Sequence, residues 1–196
     1  MAVRNIQSIS QYFESAHGQL TSFIRHIAIK DISFHYILWP QMWLMEVNMK
    51  QVEIYTDGAC SGNPGAGGWG AVLIYGEHKI EMSGYEESTT NNKMELTAAL
   101  EALKRLKEPC SVNLYSDSAY LINAFTQGWI DKWIKTGWKR NKNEEVKNIE
   151  LWKELIRLSD YHKINWIKVK GHADNEMNNR CDKLATDEIK KAAVRQ

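Results

Sequence analysis

The spacing of apolar and polar positions changes period several times after Met49, and each change predicts an element. Val52 to Asp57 alternates with the period of two that suits a half-buried strand. Trp69 to Tyr75 and Lys79 to Tyr85 repeat that alternation on either side of Gly76-Glu77-His78. Met94, Ala98, Ala99, Ala102, Leu103 and Leu106 then recur at helical spacing, with Pro109 just beyond the helix they predict. Val112 to Asp117 predicts a fourth strand and Ala119 to Phe125 a short helix. Glu145 to Leu158 carries Ile149, Trp152, Leu155 and Ile156 on one helical face; Ile164 to Val169 is a fifth strand and Asn178 to Ala193 a last helix. Three consecutive strands followed by helix–strand alternation imply an α/β fold, a mixed five-stranded sheet with helices on both faces.

The first 48 residues lack this order. Ile32 to Met45 is apolar and aromatic, but Pro40 interrupts it and no clean period emerges. Arg4 and Arg25 with several serines faintly resemble a transit peptide, and the plainer expectation is an upstream in-frame extension before a start at Met49. The expected division is therefore an N-terminal extension of residues 1–48 and one domain of residues 49–196. No run of 18 apolar residues occurs, so no membrane association is expected. Cys60, Cys110 and Cys181 form neither a C-x-x-C pair nor a zinc spacing, which suits reduced thiols in a cytoplasmic protein. A formal net charge of +1 means that any nucleic-acid footprint has to be local.

Gly65-Ala66-Gly67-Gly68-Trp69-Gly70 satisfies G-x-G-x-x-G literally, but it runs into a predicted strand where pyrophosphate binding needs a helix N-terminus. A tight loop that lets backbone approach something beside Asp57 is the better expectation. The carboxylates carry more chemistry. Ile54-Tyr55-Thr56-Asp57-Gly58 and Leu114-Tyr115-Ser116-Asp117-Ser118 each deliver an aspartate at a strand end. Glu95 and Asp182 stand near the starts of two helical patterns. Singly these acids have plain roles: Asp57 and Asp117 as turn residues, Glu95 in an Asn92-x-x-Glu95 capping box, Asp182 against a helix dipole. Together, four carboxylates at element ends suit hard divalent cations, which take oxygen ligands. Glu95 also continues an apolar stripe, so its charge needs a partner. His172, in Lys170-Gly171-His172-Ala173-Asp174, is either a surface loop histidine or a proton shuttle beside such a site.

Trp129, Ile130, Lys132, Trp133, Lys135, Trp138, Lys139, Arg140 and Lys142 interleave aromatics with cations between two predicted helices. Indoles can stack on bases or sugars while cations follow phosphates, although an amphipathic helix with core tryptophans gives the same pattern. Asn63, Asn91 and Asn92 cluster in sequence around the acids, and amides of that kind can bond 2′-hydroxyls in a shallow minor groove.

Four segments closely resemble ribonuclease HI, the type 1 ribonuclease H: Tyr-Thr-Asp57-Gly-Ala-Cys-Ser-Gly-Asn63-Pro-Gly, Thr90-Asn-Asn-Lys-Met-Glu95-Leu, Tyr-Ser-Asp117-Ser and Lys-Gly-His172-Ala…Asn178-Asn-Arg-Cys-Asp182. The match runs in order from residue 49 to about residue 190. It implies that strands 1–3 of the mixed sheet are antiparallel. It also implies endonucleolytic cleavage of RNA in RNA/DNA hybrids by a monomer, with 5′-phosphate and 3′-hydroxyl ends. The resemblance implies Asp57, Glu95, Asp117 and Asp182 as ligands of two Mg²⁺ ions, for which Mn²⁺ substitutes, and His172 as an aid to product release. Cys60, Asn63, Asn91 and Asn92 match minor-groove contacts, and Thr90 and Asn148 a pocket for a DNA phosphate. Trp129 and Trp133 would lie against the DNA strand, with Lys139 in the same basic protrusion. Ser88 replaces a common arginine of the phosphate pocket, Ala119 a groove-contacting glutamine, and Gly128 resembles an insertion. A non-cleaving hybrid-binding module, or a DNA nuclease on the same fold, are the alternatives.

Overall fold

The computed structural model describes residues 49–141, 144–171 and 175–195, so residues 1–48, Lys142 and His172 lie outside the described residues. In the unit Met49–Gln196 the elements follow as β1 (Lys50–Gly62), β2 (Gly65–Tyr75), β3 (His78–Thr89), α1 (Asn91–Lys104), β4 (Cys110–Ser116), α2 (Ala119–Thr126) and α3 (Trp129–Lys135). They continue as β5 (Lys139–Asn141), β6 (Glu144–Glu145), α4 (Ile149–Tyr161), β7 (Lys163–Lys168) and α5 (Glu176–Arg195). The main sheet has the order β3-β2-β1-β4-β7. β1 to β3 pair antiparallel, and β4 joins β1 in parallel and β7 in parallel, as the mixed five-stranded reading expects. None of the described helices is long and apolar enough to cross a membrane.

Strand parity decides which residues meet which helix layer. Val52, Ile54, Ala71, Leu73, Val112 and Leu114 point to one face and form the core with Leu96, Ala99, Leu103, Leu121, Trp152 and Leu155 from the helices. Tyr55 and Asp57 take the opposite face, where α5 crosses β1 and β2. Trp152 is the largest fully buried side chain, touching the rings of Tyr120, Phe125 and Trp133. Trp152→Ala is expected to cost about 3–5 kcal/mol, read as a lower urea midpoint at unchanged slope.

Several boundaries differ from the sequence reading. β2 begins at Gly65 rather than Trp69, because the glycine run itself pairs with β1 from Gly62 back to Gly58. The close approach these glycines permit is to α5: a Cβ at Gly68 would overlap the backbone of Ala185, and one at Gly70 the carbonyl of Cys181. α1 starts at Asn91 with Thr90 as its cap, so Glu95 lies one turn inside and does not reach back as a capping-box carboxylate. α4 starts at Ile149 rather than Glu145, since Asn148 takes φ 60° and interrupts the helix, while Glu145 pairs with Lys139 in a small hairpin. α5 starts at Glu176, which places Asp182 nearly two turns in, beyond the reach of the terminal dipole. α3, with Ile130 and Trp133 buried, agrees with the amphipathic-helix alternative for the start of the cationic stretch, while the sequence analysis does not anticipate the β5–β6 hairpin that follows.

Candidate active site

The site lies where β1 and β4 part. Their parallel pairing ends at Tyr55 and Tyr115, whose rings stack at 4.5 Å and 9°. Two residues further along stand Asp117, just past the end of β4, and Asp57, which is not at a strand end as the alternation suggests, because β1 runs on to Gly62 paired with the glycines of β2. Asp57 is buried, and its Oδ1 accepts from the Gly58 amide at 2.7 Å. Burial pushes its carboxyl up to about 8, helped by repulsion from Asp117, Asp182 and Glu95, while the Gly58 amide works against the rise. Asp182 is brought over this part of β1 by α5, which is held there by Cys181 donating from Sγ to the Tyr55 carbonyl at 3.2 Å.

Glu95 arrives from the other face. A Cβ at Gly58 would overlap the backbone nitrogen of Glu95, so the missing side chain lets α1 cross β1 tightly there. Ser118 donates its hydroxyl to Glu95 Oε2, and Asn91 Nδ2 donates to Oε1 at 2.8 Å. Burial raises the Glu95 carboxyl to about 7, opposed by the Ser118 bond and added to by Asp117. Gly171 is pressed against Asp117, where a Cβ would overlap Oδ2. Asp117, Asp182 and Glu95 each add to the cost of ionising Asp57, and Asp117 to that of Glu95, which puts the four acids in one region. Among the described residues, no three His, Cys, Asp or Glu side chains stand close enough to ligate one ion as they are placed. Glu95 is turned towards Ser118 and Asn91, each of which donates to one of its oxygens. An all-oxygen, acidic donor set in which the Asp57 and Glu95 carboxyls are raised fits a hard divalent cation.

The remaining expected contacts are distributed around this centre. Cys60 is half-buried, with Sγ directed at the carbonyls of Thr89 and Gly65 at 3.5 and 3.6 Å. Asn63 is exposed at the β1–β2 turn; Asn92 is exposed and Thr90 half-buried at the start of α1. Thr90 Oγ1 accepts from the Lys93 amide at 3.4 Å. Asn148 precedes α4, and its side chain hydrogen-bonds with the Tyr120 hydroxyl. Ser88 and Ala119 are exposed, and Gly128 takes φ 69° at the cap of α3. Trp129 is half-buried, but Trp133 is only 9% exposed and packs on Trp129, Trp138 and Trp152. Its ring has little surface left for a ligand. Lys139 and Arg140 are exposed on β5, and Arg140 meets Glu144 at 3.4 Å. Ser118 was not singled out from the sequence. Its place just before an apolar helical run marks it as a cap, and only the fold shows that its hydroxyl also reaches Glu95.

A family model described as RNase H matches residues 49–190. The ribonuclease H of Acetivibrio thermocellus is 73% identical over 143 residues, covering 73% of this chain and 97% of that protein. That of Caldanaerobacter subterraneus subsp. tengcongensis is 66% identical over 147 residues, covering 75% of this chain and 96% of its own. Among solved structures, LC9-RNase H1, a type 1 RNase H with the type 2 active-site motif, aligns with TM-score 0.66 at 28% identity over 73% of this chain and 74% of that one. LC11-RNase H1, solved in complex with an RNA/DNA hybrid, aligns with TM-score 0.57 at 26% identity over 72% and 99%. With the sheet order, the converging acids and near-complete coverage of close relatives all in agreement, this chain belongs to the type 1 ribonuclease H family.

Proposed function

We propose that residues 49–196 form an endonuclease that hydrolyses the RNA strand of RNA/DNA hybrids, leaving 5′-phosphate and 3′-hydroxyl ends. Convergence of four carboxylates where β1 and β4 separate is the observation that carries this reading. Ribonucleases H generally use divalent metal ions. In this reading Asp57, Glu95, Asp117 and Asp182 hold two Mg²⁺ ions, with Mn²⁺ as a substitute. When bound, such ions lower the pKa of the attacking water and stabilise the leaving oxygen of the phosphodiester. The protein's own part is positional. Buried Asp57 is fixed by the Gly58 amide, Glu95 by Ser118 and Asn91, and Asp182 by the seating of α5 on the glycines of β2. His172 is assigned to product release on the resemblance of its loop alone.

Substrate grip is assigned to two regions. Cys60, Asn63, Asn91 and Asn92 offer amide and thiol groups at the β1–β2 turn and the start of α1 for the minor groove. Thr90 and Asn148 serve a DNA phosphate. Trp129 and Lys139 face the DNA strand, while buried Trp133 supports Trp129 from beneath. Lys139→Ala is expected to weaken hybrid binding about equally across sequences and to reduce the slope of log affinity against log salt by about 1. Fluorescence anisotropy from low to physiological salt measures it. The protein acts as a monomer in the cytoplasm in this reading, with residues 1–48 a dispensable extension. Equal activity of residues 49–196 and the full chain would bear that out.

Incubating the full chain with hybrid, duplex DNA and duplex RNA in Mg²⁺ tests the substrate assignment. Only the RNA of the hybrid should be cut. Comparable cutting of duplex DNA would favour a DNA nuclease on the same fold, and tight hybrid binding without turnover would favour a binding module.

A further inference from the structure

We propose that Ser118 and Asn91 are positioning residues that clamp the Glu95 carboxylate at both oxygens and preset it for cation binding. The inference rests on reading Glu95 as a metal ligand. A glutamate has three side-chain torsions and much rotamer freedom to lose on binding an ion. Here each oxygen already has a donor, Ser118 Oγ on Oε2 and Asn91 Nδ2 on Oε1.

The clamp is itself held firmly. Ser118 is buried and caps α2, where its Oγ accepts from the Leu121 amide at 3.1 Å. Its own amide donates to buried Ser116 Oγ at 3.1 Å. With the cap bond on a lone pair of Oγ, the hydroxyl proton is directed at Glu95. Ser118 therefore joins Glu95 of α1 to the start of α2, immediately after Asp117. Asn91 acts from one helical turn away on the same helix as Glu95, the i, i+4 spacing at which side chains meet. It spends only its amide nitrogen on this bond. Among the described residues its Oδ1 has no hydrogen-bond partner, and the residue is half-buried beside exposed Asn92. One side chain can then hold Glu95 through nitrogen while accepting a 2′-hydroxyl through oxygen, linking substrate grip to the metal ligand.

Groups that orient metal ligands typically contribute 10–100-fold to metal affinity or activity. The test uses the full chain and Mn²⁺ alone as probe, by titration calorimetry without nucleic acid, followed by steady-state cleavage of a hybrid. Ser118→Ala and Asn91→Ala are each expected to weaken Mn²⁺ binding and lower kcat by about 10-fold or more. KM for the hybrid should rise in Asn91→Ala and stay unchanged in Ser118→Ala. Ser118→Thr keeps both the cap and the donor, so it should restore Mn²⁺ affinity and kcat, which separates positioning from loss of the cap. Glu95→Gln is the reference. If it weakens Mn²⁺ binding while Ser118→Ala and Asn91→Ala do not, the clamp is overturned and the ligand reading stands. If Glu95→Gln leaves Mn²⁺ binding unchanged, the ligand reading falls and takes the clamp with it.

Discussion

Asp57→Asn is expected to abolish cleavage and, in the metal-free protein, to raise thermal stability at alkaline pH. The substitution keeps the shape and leaves an oxygen to accept from the Gly58 amide. It removes a charge that burial and three neighbouring acids oppose. The activity loss should reach at least about 10²–10³-fold, the scale of deleting one preorganised charge-stabilising group. The stability effect has a defined sign. Folding raises the Asp57 carboxyl from 3.8 to about 8, so well below the unfolded value both states are protonated and the group contributes no penalty. As pH rises from about 4 towards 8 the unfolded chain ionises more readily than the native one, and native stability falls. Glu95, raised from 4.5 to about 7, adds to the decline within the same window. Melting curves in chelator should therefore coincide for the two proteins well below pH 4 and separate by pH 8 to 9, with Asp57→Asn the more stable. Adding Mg²⁺ should stabilise the unsubstituted protein more than the variant by mass action. Coincident melts at pH 9, or retained Mg²⁺-dependent cleavage, would overturn the role assigned to Asp57.

Gly58→Ala has the second large expected effect, and its cause is steric. A Cβ there meets the Glu95 nitrogen and, at 2.6 and 2.9 Å, the Met94 carbonyl carbon and Glu95 Cα. These are backbone atoms and cannot rotate aside, so α1 has to move off β1. Overpacking ordinarily costs about 1–3 kcal/mol, and a clash with backbone belongs at or above the upper end. Because α1 carries Glu95, whatever folds should also lose activity. Urea titration followed by assay at low denaturant measures both. Gly76→Ala is the control: no atom lies within 4 Å of its Cβ, so only the strain of φ 55° remains, about 1 kcal/mol. If the two variants unfold at the same midpoint, close approach of α1 at Gly58 is not what holds the site together.

Where the chain has one dominant period, its sequence was legible. The strand alternation at Val52 to Asp57 and Val112 to Asp117, and the helical spacing from Met94 to Leu106, each correspond to an observed element. The glycine run was opaque because residues without side chains carry no hydrophobic pattern, and β2 there is specified by what α5 requires of it. The α3 to β6 region was opaque for a different reason. Gly137 and Trp138 both take φ 63°, and no periodicity announces an indole in the left-handed region. That turn places Trp138 against Trp133 at 6.4 Å and lets Trp138 donate its amide to the Trp133 carbonyl at 2.7 Å. Candidate acids were identifiable from the sequence, although only Asp117 stands at an element end: β1 runs on to Gly62 past Asp57, and Glu95 and Asp182 lie inside their helices. How each is held was not identifiable, since Ser118, Gly58 and Gly171 act through contacts between residues distant in the chain.

From the stacked Tyr55–Tyr115 pair onward, chain length along two strands sets where Asp57 and Asp117 stand. Side chains alternate between faces, so inserting a single residue between Tyr115 and Asp117 would turn that carboxylate towards the α1 side while leaving the tyrosine stack in place. The connection 105–109, ahead of β4, carries no such parity and can vary in length without moving either aspartate. Tolerance to insertion should therefore change abruptly at the tyrosines, permissive upstream of β4 and prohibitive beside Thr56 and Ser116, the single residues that separate each ring from its acid.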